Sequence, residues 1–248
     1  MEDIPSQVKT RRQLQAEQTK DKLFEAAVSL LAEKDFEQIT IRDIVAKAHV
    51  SIGTFYNYYS TKMEVFYETY RVADHYFSEV VAPALTQGTV YERILAFFDY
   101  YAHYNSDLTD MKMTRLLYNT DNPFFNRDPH QGMVGVLIGI IQQGLDDGTL
   151  SGDDSAEVIA EYLMISVRGL VYNWCTRDGS YDLAAVMRKF VHRLLAYYRS
   201  AAADLVAQDV ALVLGSYGSG VSMAGGPVFA EAGLAAIGVT CTNPGVTA

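Results

Sequence analysis

Residues 40–62 read TIRDIVAKAHVSIGTFYNYYSTK, and their pattern decides the architecture. Thr40 stands before Ile41, Ile44, Val45 and Ala48, apolar residues at helical spacing. Its hydroxyl can accept from the free amides of a first turn, so it reads as an N-cap. Asp43, three residues on, sits where a carboxylate favours the positive end of a helix. His49 and Val50 break the run, and Ser51 is a second N-cap ahead of Ile52-Gly53-Thr54-Phe55-Tyr56. A helix this short, rich in β-branched and aromatic residues, is poor in isolation and must be held by tertiary packing. Phe55 and Tyr59, four apart, can face inward. Ile52, Gly53, Thr54, Tyr56, Asn57 and Tyr58 then point outward or sideways. Ser60-Thr61 caps a further helix whose first turn holds Lys62, a cation where the dipole disfavours one. An anionic partner would account for it. A short helix with small and polar outward residues, braced by a preceding helix, is what reading the major groove requires.

The Thr-Ile-Arg-Asp-Ile start, the Val-Ser-x-Gly-Thr-Phe-Tyr turn and helix, the Tyr-Tyr pair and the Thr-Lys that follows resemble the helix-turn-helix of the tetracycline-repressor (TetR) family. The likeness is carried by residues 19–66; the helical remainder fits the family's layout without comparable motifs. The resemblance implies an all-α fold, with an N-terminal three-helix DNA-binding domain and a larger helical domain for effector binding and dimerisation. It implies a homodimeric repressor, not an enzyme, released from a palindromic double-stranded DNA operator by a small-molecule effector. In that frame Ser51, Thr54, Tyr56, Tyr58 and Lys62 would bond phosphates. Ile52, Gly53 and Asn57 would approach base edges, and Thr40 and Arg42 would contact backbone or one edge. Ile52 departs from the Lys common at that place in the family, and suits a thymine methyl better than a hydrogen bond. The competing reading is a helical small-molecule-binding protein or enzyme that keeps a relic of the DNA-binding motif.

A net charge of −10 would ordinarily argue against nucleic acid. Its distribution removes the objection. Residues 1–62 hold nine basic and nine acidic side chains, and the whole excess lies in the remainder, with 11 basic against 21 acidic. An acidic body would turn the N-terminal end toward DNA. Lys9, Arg11 and Arg12 form a basic arm at that end. An apolar content of 49% over 248 residues supports a sizeable core. Two cysteines, Cys175 and Cys241, offer no disulfide framework and no metal spacing, as suits a reducing cytoplasm. No apolar run is long enough to span a bilayer. The histidines are scattered and no nucleophile motif appears, so no metal, cofactor or catalytic group is expected.

The chain divides into a reader at 1–60, a helical body at 61–207 and an appended tail at 208–248. A first helix is expected over 12–34, with Leu23, Ala26, Ala27, Leu30 and Leu31 inward. Asp35-Phe36-Glu37-Gln38 is the connection that follows, with Phe36 expected to plug the small core. A long helix over 61–82, ended by Pro83, links reader to body and is the natural lever. Helices over 91–105, 110–117 and 127–146 follow, the last with an apolar middle rich in glycine. Two more, over about 153–176 and 182–206, are apolar on more than one face and call for a partner; the resembling family pairs through its last two helices. A twofold dimer through 153–206 would read a palindrome.

The body carries many aromatic groups with polar tips. Tyr67, Tyr70, Phe98, Tyr101, Tyr104, Met113, Tyr118, Phe125, Tyr172 and Trp174 are candidates for lining an effector pocket. His103, Asn105 and Arg115 are candidates for orienting a polar group.

The tail changes character. Two strand candidates, 211–214 and 234–240, flank a Gly-rich loop and a helix candidate at 222–232, a βαβ-like period. The loop order is not a dinucleotide fingerprint, and a P-loop Lys is lacking. Val213-Leu214-Gly215 with Ser219, the PVFAEAG of 227–233, and Thr242-Asn243-Pro244 resemble part of the periplasmic binding proteins for branched-chain amino acids. That likeness points at Ser219 and 240–242 as ligand contacts. A single βαβ unit cannot close a cleft by itself, so the tail reads as an appended segment.

Overall fold

The computed structural model describes residues 10–118, 122–126, 132–198, 212–214 and 235–237. They are almost entirely helical. The chain forms two compact units, residues 1–72 with 107–127, and residues 73–106 with 128–248.

In the first unit α1 (Arg11–Glu33) opens on a capping box. The Thr10 amide donates to Gln13 Oε1 (2.7 Å) and the Gln13 amide donates to the Thr10 hydroxyl (3.3 Å). Its stripe of Leu23, Ala26, Ala27, Leu30 and Leu31 is buried. α1 packs on α2 (Ile41–Lys47), α4 (Lys62–Phe66) and α8 (Met111–Leu117), while α3 (Ile52–Tyr56) packs on α2. Ile44, Phe55, Val65 and Phe66 fill one core together with Met113 and Leu117 of α8. Residues 107–127 thus pack with the reader, whereas a boundary at 60/61 places them in the body. The hydrophobic spacing of α8 reports that it has a buried face, and nothing local reports against which unit.

The long helix expected over 61–82 is segmented. α4 is followed by α5 (Glu68–Tyr76), a π-helical turn (Phe77–Val81) and α6 (Ala82–Ala84). Pro83 does not end the helix. It lies within α6, which runs on directly from the π-helical turn and continues to Ala84. The division between units falls within α5, after Val72.

In the second unit α7 (Val90–His103) packs on α11 (Leu183–Leu195) and α9 (Gly132–Asp146), and α10 (Ala156–Thr176) packs on α9 and α11. Phe77, Phe97, Phe98, Leu137 and Ile141 are fully buried. α9 starts at Gly132 with φ +63°, and the Met133 amide donates to Asp74 Oδ1 (3.0 Å). A Cβ at Gly132 would lie 2.1 Å from that carboxylate oxygen, so glycine is required twice over. Residues 127–131 and 199–206 of the expected helices lie outside the described residues.

In the tail, β1 (Leu212–Leu214) and β2 (Ala235–Ile237) pair in parallel, Leu212 opposite Ala235. They fall within the two strand candidates. The helix candidate at 222–232 lies outside the described residues, as do Ser219, Thr240, Cys241 and Thr242. Among the described residues no helix is long and apolar enough to cross a membrane, and no group of His, Cys, Asp or Glu is arranged to hold a metal ion.

Candidate nucleic-acid interface

The two helices of residues 40–62 are each started by a side chain. Thr40 Oγ1 accepts from the Asp43 amide (3.1 Å), and Asp43 Oδ2 accepts from the Thr40 amide (2.9 Å) and from Lys34 Nζ (2.7 Å). The Lys34 hydrogen bond, then the Thr40 amide and hydroxyl, hold the Asp43 carboxyl down at about 2. The turn passes through His49, whose φ of 56° is left-handed, and closes with the Val50 amide on the Val45 carbonyl (3.0 Å). Ser51 Oγ accepts from the Thr54 amide (3.0 Å) and shares a hydrogen bond with Thr54 Oγ1 (2.8 Å).

Phe55 and Tyr59 are buried, as their i, i+4 spacing requires. That orients the rest of α3. Ile52 (46% exposed), Gly53, Tyr56 (57% exposed) and Asn57 face outward, and Thr54 and Tyr58 are half-buried at the flanks. Thr40 and Arg42 are exposed at the start of α2. Gly53 is informative. Its backbone angle is ordinary, and a Cβ there would meet only Ser51 Oγ at 3.7 Å. The fold therefore does not ask for glycine, although glycine costs a helix about 1 kcal/mol relative to alanine.

Lys62 is placed differently from the other candidates. Its Nζ donates to the carbonyls of Phe36 (2.6 Å) and Ile39 (2.8 Å) and stands 4.1 Å above the Phe36 ring. The negative end of a short 3-10 turn (Phe36–Gln38) thus offsets the cost of a cation in the first turn of α4.

Beneath the reader lies a charged network that sequence reasoning missed. Tyr59 Oη donates to Glu68 Oε1 (2.9 Å), Lys20 Nζ reaches the same oxygen (3.4 Å), and Arg71 Nε donates to Glu68 Oε2 (2.8 Å) while also pairing with Asp21. Burial pushes the Glu68 carboxyl up, but the hydrogen bonds from Arg71 and Tyr59 and the charges of Lys20 and Arg71 outweigh it and leave it below the usual range. Burial and the Glu68 charge drive the Tyr59 phenol well above its ordinary value. The i, i+3 pair Glu68–Arg71 was visible as a local signal; the Lys20, Asp21 and Tyr59 partners were not.

The ten expected pocket residues are divided between the two units. Tyr67, Tyr70, Met113 and Tyr118 belong to the core of the first unit, where Phe124 stacks on Tyr70 (4.8 Å) and Asn122 Nδ2 donates to Tyr70 Oη (2.5 Å). Phe98 and Tyr101 are buried in the second unit, and Tyr104 packs there against Tyr76 and Phe77. Trp174 is buried and donates to the Tyr181 carbonyl (3.0 Å). Tyr172 is 58% exposed on the outer face of α10 and lines no interior. The Phe125 side chain lies outside those described. Of the polar candidates, His103 Nδ1 donates to the Asp99 carbonyl (2.7 Å) and Asn105 Nδ2 to the Tyr101 carbonyl (2.8 Å), so both bond their own helix; Arg115 is exposed.

An exposed short helix, braced on a second helix and carried on a three-helix core, defines a helix-turn-helix DNA-binding domain. Residues 23–69 match the profile of the bacterial regulatory proteins of the tetR family, and the protein is a DNA-binding transcriptional regulator with an N-terminal domain of that kind. Over a longer stretch, the chain is 21% identical across 178 residues to the fatty acid metabolism regulator protein of Bacillus subtilis (strain 168), covering 70% of this chain and 92% of that one. Its fold is similar to that of the transcriptional regulator FadR from Bacillus subtilis in complex with stearoyl-CoA (TM-score 0.55, 19% identity, 71% of this chain and 97% of that one). It is also similar to the TetR-family repressor FadR of Thermus thermophilus in complex with lauroyl-CoA (TM-score 0.57, 23% identity, 71% and 93%).

Proposed function

We propose that the chain is a homodimeric repressor that reads a palindromic operator with α3 and is released by a long-chain acyl thioester. The observation that carries the DNA reading is the outward face of α3. Its glycine serves no need of the fold, and with Asn57 beside it a base edge can come close. Thr40, Arg42, Ser51, Thr54, Tyr56 and Tyr58 ring that face and are the proposed backbone contacts. Ile52 and Asn57 are the proposed base readers, for a thymine methyl and an adenine respectively.

Dimerisation is supported by α10 and α11. Tyr162, Ile165, Gly169 and Tyr172 repeat at i, i+3, i+7, i+10 and are exposed, while Ile159, Leu163, Val167 and Val171 form the buried stripe behind them. Val186 and Phe190 of α11 are exposed as well. Two consecutive helices with apolar outer faces suit a twofold four-helix interface. The acyl thioester is supported by the stearoyl-CoA and lauroyl-CoA held by two of the similar structures, and by the apolar interior of the second unit, with Phe77, Phe97, Phe98, Leu137 and Ile141. The tail is proposed to be an appendage without a ligand of its own.

Selection of duplexes from a randomised pool, followed by mobility shift with and without stearoyl-CoA, tests the reading. The expected result is a palindromic site, bound with steep salt dependence and released by the acyl-CoA but not by CoA alone. A chain that selects no sequence refutes the regulator, and a complex indifferent to acyl-CoA refutes the effector while leaving the DNA reading in place.

A further inference from the structure

We propose that Lys62 is a positioning residue for the reader and not one of its phosphate contacts, an inference that rests on the DNA-reading role argued above. The ammonium has two of its three hydrogens on the Phe36 and Ile39 carbonyls, at 2.6 and 2.8 Å, and its charge lies 4.1 Å over the Phe36 ring. Phe36 in turn meets the buried Phe66 edge-on at 5.5 Å. Lys62 thereby fastens the connection between α1 and α2 to the start of α4. The carbonyl it holds at Ile39 immediately precedes Thr40, the N-cap of α2. Thr40 and Asp43 are bonded to each other, and Asp43 to Lys34, so Lys34 and Lys62 both donate to the start of α2 from within the unit. α3 packs on α2. A shift at 36–40 therefore moves Thr40, Arg42 and the brace behind Asn57 together. Reading base edges requires that placement closely, whereas a phosphate contact made by a long side chain such as Arg42 tolerates a small shift.

The test uses the full chain, with Lys62→Met, which keeps an unbranched side chain without the donor or charge, and Lys62→Arg, which keeps a donor and a charge. The probes are the duplex that the unaltered chain selects from a randomised pool and a scrambled duplex of the same length, each titrated over a range of salt. Lys62→Met is expected to weaken the selected duplex about tenfold, with the scrambled duplex and the salt slope unchanged, and Lys62→Arg to recover part of the loss. Amide exchange in the DNA-free protein is expected to quicken at 38–44. The proposal is overturned if both duplexes weaken together and the salt slope shrinks by about 0.9 per lost contact, the signature of a phosphate ligand. It is equally overturned if only the melting temperature falls while the folded protein binds both duplexes as before. Should the unaltered chain select no duplex, the regulator reading fails by itself, and unchanged exchange at 38–44 then refutes the placement role independently.

Discussion

Two outward faces of this chain, one on α3 and one on α10 and α11, are built for different company. The α3 face is short and mixed, with Gly53 and the hydrogen-bonding Asn57 beside Ile52 and Tyr56. The α10–α11 face is large and apolar, with Tyr162, Ile165, Tyr172 and Phe190. Water satisfies the first face well, so its value lies in discrimination between partners. Water satisfies the second badly, at about 25 cal/mol for each Å² left wet, so that face gains by being covered. Charge separates the regions too. The reader rests on a carboxylate held by Lys20, Tyr59 and Arg71, whereas the core of the second unit is aliphatic and aromatic.

The sharpest way to break this contrast is to make the apolar face polar. Ile165→Glu with Tyr172→Glu should abolish the dimer, at a cost of about 2 kcal/mol or more per protomer, as read by sedimentation. Affinity for the palindrome should fall with it; a double variant that still sediments as a dimer means the interface lies elsewhere. On the reader, Asn57→Ala should cost about 1–3 kcal/mol at one base pair and relax specificity there alone, which selection of binding sites would reveal. Gly53→Ala should act with opposite signs on two measurements. Stability should rise by about 0.5–1 kcal/mol, because alanine suits the helix, while affinity for the palindrome drops. An unchanged affinity would show that nothing approaches α3 closely.

Acid provides a smaller and graded test. Asp43 is held at about 2 against an ordinary 3.8, so its contribution is full above the ordinary value and is lost as pH falls through about 2. Glu68, also depressed, has the same sign. Acid should therefore erode the stability of the reader unit, and Asp43→Asn should flatten that loss on acidification. The smallest expected effect is at the turn. His49→Gly relieves a left-handed residue but frees the unfolded chain, for a net gain of about 0.5 kcal/mol in thermal or denaturant melts.

Much of the reader was legible because its signals are local. An N-cap and its partner lie three residues apart, and a buried pair such as Phe55 and Tyr59 lies four apart, so both are written within one turn of chain. The same holds for the two-faced character of α10. Lys62 shows the complementary case: its position in a helix is local, but the carbonyls that it holds are 23 and 26 residues away. The pocket candidates are divided between the two units for a related reason. Aromatic content says that a core exists and cannot say which core each ring enters, so Tyr67 and Met113 were grouped with Phe98 although they belong to another unit.

The sequence by itself determined the helical class, the start of each reader helix, the outward set on α3, and the placement of the acidic excess beyond residue 62. These follow from spacing, capping and charge, which act over a turn of helix or are simple sums along the chain. Only the tertiary structure decided that residues 107–127 pack with the reader, that the linking helix is broken at Tyr67 and wound into a π turn at Phe77–Val81, and that Lys62 and Glu68 are satisfied from α1 and its following turn. Those outcomes depend on which distant surfaces meet. The free energy of burying them together outweighs any preference that the local chain expresses.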